Sequence, residues 1–105
     1  MIIDGSSCSN VIAVSSTSVT VNGFEVVGSN QTTAGINIGP GSSGVSITNN
    51  IIHGMKLPNQ SNISPGSYGI LVWGEDVSEI TLSGNEIYDV LLFGIDITEL
   101  VSNVT

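Results

Sequence analysis

Positive charge is nearly absent from this sequence of 105 residues, in which Lys56 is the single lysine or arginine against nine aspartates and glutamates. The net charge of -8 excludes nucleic-acid binding through a basic surface, and also a polybasic segment that binds membrane surfaces. Cysteine is equally scarce, and Cys8 alone cannot form an internal disulfide. No apolar run reaches the length of a membrane span, and the first residues show no signal peptide.

Helix-favouring residues are also few, since the chain has six leucines and two alanines against 26 isoleucines and valines. Isoleucine and valine are β-branched, and such side chains favour strands over helices. Serine, threonine, asparagine and glycine make up most of the remainder, but the hydrophobic content of 40% is too high for a disordered chain. The composition therefore predicts an all-β protein.

A repeat becomes visible when residues 19–26, 45–52 and 80–87 are aligned without gaps. Each segment begins with an apolar, a polar and an apolar residue, which is the period of a strand with one buried face. A break of two residues follows, and a second short strand then begins. The second residue of the break is Gly23, Asn49 or Gly84, residues that tolerate a left-handed backbone, so the same turn with positive φ is predicted three times.

The position directly after the break brings asparagines of neighbouring repeats into line. It is occupied by Phe24, Asn50 and Asn85 in turn. Amide side chains that stack on one another can hydrogen-bond along the stack. Asn50 and Asn85 are therefore predicted to form an amide ladder.

A third short strand precedes each repeat, and it contains Ile12, Ile36, Ile70 or Ile95 at intervals of 24, 34 and 25 residues. The long interval is explained by an insertion at about residues 55–67, which contains two prolines and is interpreted as a loop. Strands this short can pair with their counterparts one repeat away, which gives parallel sheets and a solenoid. The predicted inward columns are Ile12/Ile36/Ile70/Ile95, Val14/Ile38/Val72/Ile97, Val19/Val45/Ile80/Val104, Val21/Ile47/Leu82 and Val26/Ile52/Ile87.

The sequence segments GINI…GVSITNNIIHG and GILV…SEITLSGNEIYD resemble repeats of the right-handed parallel β-helix of the pectate-lyase-like superfamily. The resemblance covers almost the whole chain and implies an all-β solenoid of about four coils, each with three short strands. Both ends look uncapped, so residues 1–105 are expected to be one partial β-helix domain of a longer chain. The superfamily includes lyases, hydrolases and adhesins, so the fold alone leaves the function open.

In enzymes of that superfamily the polysaccharide groove runs along the outside of the first sheet, and this likeness suggests a secreted or cell-surface carbohydrate-active protein. The resemblance places five candidate groove residues there: Asn37, Trp73, Glu75, Asp76 and Asp96. Glu75, Asp76 and Glu79 are expected to lie on one turn. Carboxylates in such a groove bind Ca²⁺ or act as acid and base, whereas the alternative explanation is surface charge that keeps the chain soluble. Trp73 either stacks on sugars or covers the end of the apolar interior.

The remaining motifs give weaker evidence about the function. Lyases of the superfamily use a lysine or arginine as base, whereas Lys56 is alone and lies in the insertion, so no catalytic residue is assigned. His53 has no second histidine or thiolate near it in sequence, so a zinc or copper site is not expected. The glycine-rich segment 39–44 precedes a strand and is therefore a corner turn, not a nucleotide site. Four glycosylation sequons weakly favour a secretory route, and a non-catalytic structural or adhesive repeat protein remains the alternative.

Overall fold

A computed structural model describes residues 2–5, 10–29, 32–55, 68–90, 93–97 and 101–104 of the chain. Its described residues form strands and turns and contain no helix. In chain order the strands are β1 (Ile2–Asp4), β2 (Asn10–Val14), β3 (Thr20–Asn22), β4 (Glu25–Val27), β5 (Ala34–Ile38), β6 (Ser43–Thr48), β7 (Ile51–His53), β8 (Tyr68–Val72), β9 (Val77–Ser83), β10 (Glu86–Ile87), β11 (Phe93–Ile97) and β12 (Val101–Val104).

Every third strand belongs to the same sheet, so the strands form three parallel sheets of four strands each. Sheet A has the order β1-β4-β7-β10, sheet B the order β2-β5-β8-β11, and sheet C the order β3-β6-β9-β12. The prediction of an all-β protein with parallel sheets is therefore confirmed. This strand order is compatible with a parallel β-helix.

The strand register follows the predicted columns. Ile36 of β5 pairs with Ile12 and Ile70, and Ile52 of β7 pairs with Val26 and Ile87. Side chains of these columns form the core, because alternate residues of each strand point to the same face. The fully buried members include Val26, Ile36, Ile38, Val45, Ile47, Ile52, Ile70, Val72 and Ile80.

Two column members differ from the prediction in their burial. Ile95 and Ile97 pair in register with Ile70 and Val72, yet they are 44% and 42% exposed. Strand β11 is an edge strand of sheet B, so a neighbouring strand covers these side chains from one side alone.

The turn between sheets C and A has the predicted left-handed residue. Gly23, Asn49 and Gly84 have φ values of 80°, 56° and 67°. A second left-handed column, which the sequence alignment missed, lies directly before Val19, Val45 and Ile80. Its members Ser18, Gly44 and Glu79 have φ values of 58°, 65° and 55° and share no side-chain type.

Met55 was assigned to the predicted insertion loop, but its side chain is fully buried in the core. Gly28 lies beside it, where a Cβ atom would come within 2.8 Å of the Met55 sulfur. Residues 56–67, with Lys56, lie outside the described part of the chain. The core therefore extends at least one residue into the segment that the prolines mark as irregular.

Candidate functional site

The outer face of sheet B brings together three of the five predicted groove residues. Asn37 pairs in register with Ala13 on one side and Leu71 on the other, and Asp96 pairs with Leu71. Since Ile36 and Ile38 are buried, Asn37 between them points outward. Trp73 directly follows the buried Val72 and is 39% exposed. Asn37, Trp73 and Asp96 thus lie on one surface across three neighbouring strands.

Hydrogen bonds join Trp73, Asn37 and Asn10 into a chain across strands β8, β5 and β2. The indole Nε1 of Trp73 donates to Oδ1 of Asn37 at 2.7 Å. The Nδ2 group of Asn37 in turn donates to Oδ1 of Asn10 at 3.2 Å. We call these three residues the outer platform. Asn10 was not predicted to belong to this surface. It stands at the start of β2, where the alternation of apolar and polar residues does not mark it as outward-facing.

The position of the indole ring depends on two stacked turns. Residues 39–42 join β5 to β6, and residues 73–76 join β8 to β9 directly beside them. The backbone amide of Gly41 donates to the carbonyl of Glu75 at 3.0 Å, and that of Trp73 donates to the carbonyl of Ile38 at 3.0 Å. Gly39 lies beside the ring, where a Cβ atom would be in ordinary van der Waals contact at 3.8 Å from Nε1 of Trp73. Segment 39–44 is therefore a turn followed by a strand.

The three predicted turn carboxylates do not lie on one turn. Glu75 and Asp76 are exposed in the turn after Trp73, and Asp76 has a left-handed backbone with φ of 59°. Glu79, expected on the same turn, instead lies inside strand β9. The turn ends earlier than the sequence suggested, because Val77 already enters the core and is 1% exposed.

The predicted ladder residues lie at the turn between sheets C and A, where Asn50 is buried and Asn85 is half-buried. Asn50 is fully buried, its Oδ1 accepts from the amide of Phe24 at 3.0 Å, and its Nδ2 donates to the carbonyl of Val21 at 3.0 Å. Asn85 repeats both contacts one repeat later, with the amide of Asn50 at 3.1 Å and the carbonyl of Ile47 at 2.9 Å. The two side chains also contact each other, Nδ2 of Asn50 donating to Oδ1 of Asn85 at 3.2 Å. We call Asn50 and Asn85 the interior ladder.

A second cluster of functional side chains lies on the outer face of sheet A. Nε2 of His53 lies 2.7 Å from Oε2 of Glu25, and the His53 ring stacks on Tyr88 with a centroid distance of 4.7 Å and an interplanar angle of 10°. His53 and Tyr88 directly follow Ile52 and Ile87, which pair in register. The predicted column of Ile52 and Ile87 therefore indicated that His53 and Tyr88 lie close together. The contact of His53 with Glu25 was not predicted.

The outer face of sheet C carries no charge in its central columns. The outward positions there are Thr20, Ser46 and Thr81 in one column and Asn22, Thr48 and Ser83 in the next. Thr48 Oγ1 donates to Oδ1 of Asn22 at 2.8 Å. This sheet therefore presents small polar side chains, two of which hydrogen-bond to each other across neighbouring strands.

Among the described residues, no group of three or more His, Cys, Asp or Glu side chains is placed to hold a metal ion. The same part of the chain contains no helix that is long and apolar enough to cross a membrane.

Comparison with known proteins gives no family for this chain. A scan against protein-family models, a search of curated proteins and a search of solved structures each find no match.

Proposed function

We propose that the chain is a segment of a right-handed parallel β-helix of about four coils, taken from a secreted or cell-surface carbohydrate-active protein. In this proposal the three parallel sheets are the three faces of the solenoid, and the outer face of sheet B is part of a polysaccharide groove. The periodic strand order, with every third strand in one sheet, supports the solenoid. Handedness and coil number come from the resemblance of the repeat to pectate-lyase-like proteins.

The observation that carries the glycan proposal is the fixed, half-exposed indole of Trp73. An exposed aromatic ring is suited to stacking on the apolar face of a sugar. Here Asn37 accepts a hydrogen bond from the indole nitrogen at 2.7 Å, which favours one orientation of the ring before a ligand arrives. A ring that is already ordered loses less conformational entropy on binding. Asp96 and the turn residues Glu75 and Asp76 supply polar groups around it.

The proposal assigns scaffold and part of the groove to this segment, and it names no catalytic residue. Polysaccharide lyase and glycoside hydrolase activity both need a set of acid, base or cationic groups around one bond. Asp96, Glu75 and Asp76 are the carboxylates at this face, and the described residues add no lysine or arginine to it. A complete catalytic set would require residues from further coils.

Binding to a panel of oligosaccharides, measured by calorimetry with the chain and its Trp73→Ala/Asp96→Ala variant, tests this function. We expect the parent chain to bind at least one glycan and the variant to lose that binding, with the far-ultraviolet circular dichroism of the two unchanged. A parent chain that binds no glycan of the panel, with or without calcium, contradicts the proposal.

A non-catalytic structural or adhesive β-helix is the second candidate, and the outer face of sheet C favours it. Thr20, Ser46 and Thr81 form an uncharged column there, as do Asn22, Thr48 and Ser83. Such a surface suits a spacer whose exterior bonds to itself. Chains that bind no glycan but retain full stability would support this candidate over the first.

A further inference from the structure

We infer that the outer platform selects uncharged pyranose oligosaccharides and rejects uronates. The inference rests on the proposed glycan function and adds the charge of the ligand. It follows from which groups the platform leaves free and from the charges that surround it.

The outer platform offers a ligand an aromatic ring surface and amide groups, but no cation. The indole nitrogen of Trp73 is already occupied by Asn37, and Asn37 is further bonded to Asn10. The accessible parts are the exposed ring and the remaining amide donors and acceptors of the two asparagines. These groups match hydroxyl groups and C–H faces of a neutral sugar. A uronate carboxylate prefers arginine or lysine, which bind it with charge-assisted hydrogen bonds.

All formal charges that the described residues place around the platform are negative. Asp96 lies on β11, one strand from Leu71, and strand neighbours are about 4.8 Å apart. Glu75 and Asp76 are exposed in the turn that begins at Trp73. His53 lies on sheet A with Glu25, and Lys56 lies outside the described residues. A sugar stacked on the indole therefore lies on a face where the described residues place three carboxylates and no cation, and these carboxylates repel an anionic ligand.

The surplus of negative charge in the whole chain acts in the same direction but is less selective. The net charge of -8 lowers the association rate of any anion. Charges beyond the screening length of about 8 Å at physiological ionic strength contribute little to affinity. At physiological ionic strength, selectivity that arises at the platform should therefore depend more on Asp96, which lies on the same sheet, than on a carboxylate of another sheet.

The test compares cellohexaose and xylohexaose, as neutral probes, with hexagalacturonate by calorimetry at low ionic strength. We expect at least one neutral probe to bind about fivefold or more tightly than the uronate, and added salt to narrow the ratio. Trp73→Ala should weaken the neutral probe about tenfold. Binding of the uronate as tightly as the neutral probes, with or without calcium, overturns the inference while the glycan function stands. No binding of any glycan overturns both.

A pair of variants with the same change in charge separates local from global repulsion. Asp96→Asn lies at the platform, whereas Glu86→Gln lies on β10 of sheet A. We expect Asp96→Asn to reduce the ratio of neutral to uronate affinity severalfold and Glu86→Gln to change it less. Equal changes in the two variants would assign the selectivity to net charge and overturn its assignment to the platform.

Discussion

The interior ladder and the outer platform are both rows of amide side chains that hydrogen-bond from strand to strand, but their partners differ. In the interior ladder, Asn50 and Asn85 bond to backbone amides and carbonyls of the preceding repeat, and Asn50 is fully buried. In the outer platform, Asn37 bonds to the side chains of Trp73 and Asn10 at the surface. The comparison indicates that amides bonded to buried backbone stabilise the fold, whereas amides bonded to exposed side chains position a surface.

The largest loss of stability is expected when the hydrogen bonds of the interior ladder are removed. Asn50→Leu removes the hydrogen bonds that its amide makes with the backbone amide of Phe24 and the carbonyl of Val21 inside the molecule. Leaving such groups unsatisfied costs about 1–3 kcal/mol each, so we expect a loss of about 2–4 kcal/mol in the free energy of unfolding. Chemical denaturation measures it.

Asn37→Leu is the matched control, because the same change is made on the outer platform. There a loss of at most about 1 kcal/mol is expected, since the freed groups can bond to water. Equal losses in the two variants would contradict the distinction between the ladder and the platform.

The turn that carries the ladder should be the next most sensitive position. Asn49 has φ of 56°, and a β-branched residue is strained in that region. Asn49→Val is expected to lower the free energy of unfolding by about 1–3 kcal/mol. Asn49→Gly keeps the backbone conformation accessible and should stay within about 1 kcal/mol of the parent. A melting temperature of Asn49→Val equal to that of the parent would show that the ladder does not need this turn.

The Glu25–His53 pair tests whether a contact between surface side chains stabilises the fold as much as the interior ladder does. The two side chains are 37% and 20% exposed, and a side-chain contact at such a site contributes at most about 1 kcal/mol. Glu25→Gln should therefore lower the free energy of unfolding by less than Asn50→Leu does. Glu86→Gln, also on the outer face of sheet A, is its control and should have a smaller effect. A loss as large as that of Asn50→Leu would mean that surface contacts are as important as the interior ladder.

The smallest effect is expected for the hydrogen bond inside the outer platform. A double-mutant cycle of Trp73→Phe and Asn37→Ala isolates the contact from the indole nitrogen to Asn37. We expect a coupling of about 0.5 kcal/mol in stability, because water competes for both groups. A coupling well above that of a cycle between Asn50 and Asn85 would reverse the roles assigned to the platform and the ladder.

Much of the strand register could be predicted from the sequence, because the signal is repeated. Val21, Ile47 and Leu82 were placed in one column from spacing alone, and these residues pair in the structure. The left-handed column of Ser18, Gly44 and Glu79 was missed, since serine and glutamate carry no signal for positive φ. Propensity finds a special backbone only where glycine or asparagine occupies it.

The candidate site was predictable in part. Alternation along β5 put Asn37 on the outer face, and the register put Asp96 in the same column, two strands away. The contact from Trp73 to Asn37 was not predictable, because Trp73 lies past the end of β8 and its direction depends on how turns 39–42 and 73–76 stack. The contact of Asn10 with Asn37 and that of Glu25 with His53 were also missed, because each joins side chains of different columns.

The sequence by itself determined an all-β chain of parallel strands, the alternation that buries one face of each strand, and the turn at Gly23, Asn49 and Gly84. These are properties of single residues and of one repeated interval, and both can be counted along the chain. Only the tertiary structure decided that Met55 is buried, that Ile95 and Ile97 are half exposed, and that the indole of Trp73 is held by Asn37. Those outcomes depend on which atoms of neighbouring strands and turns come within contact distance.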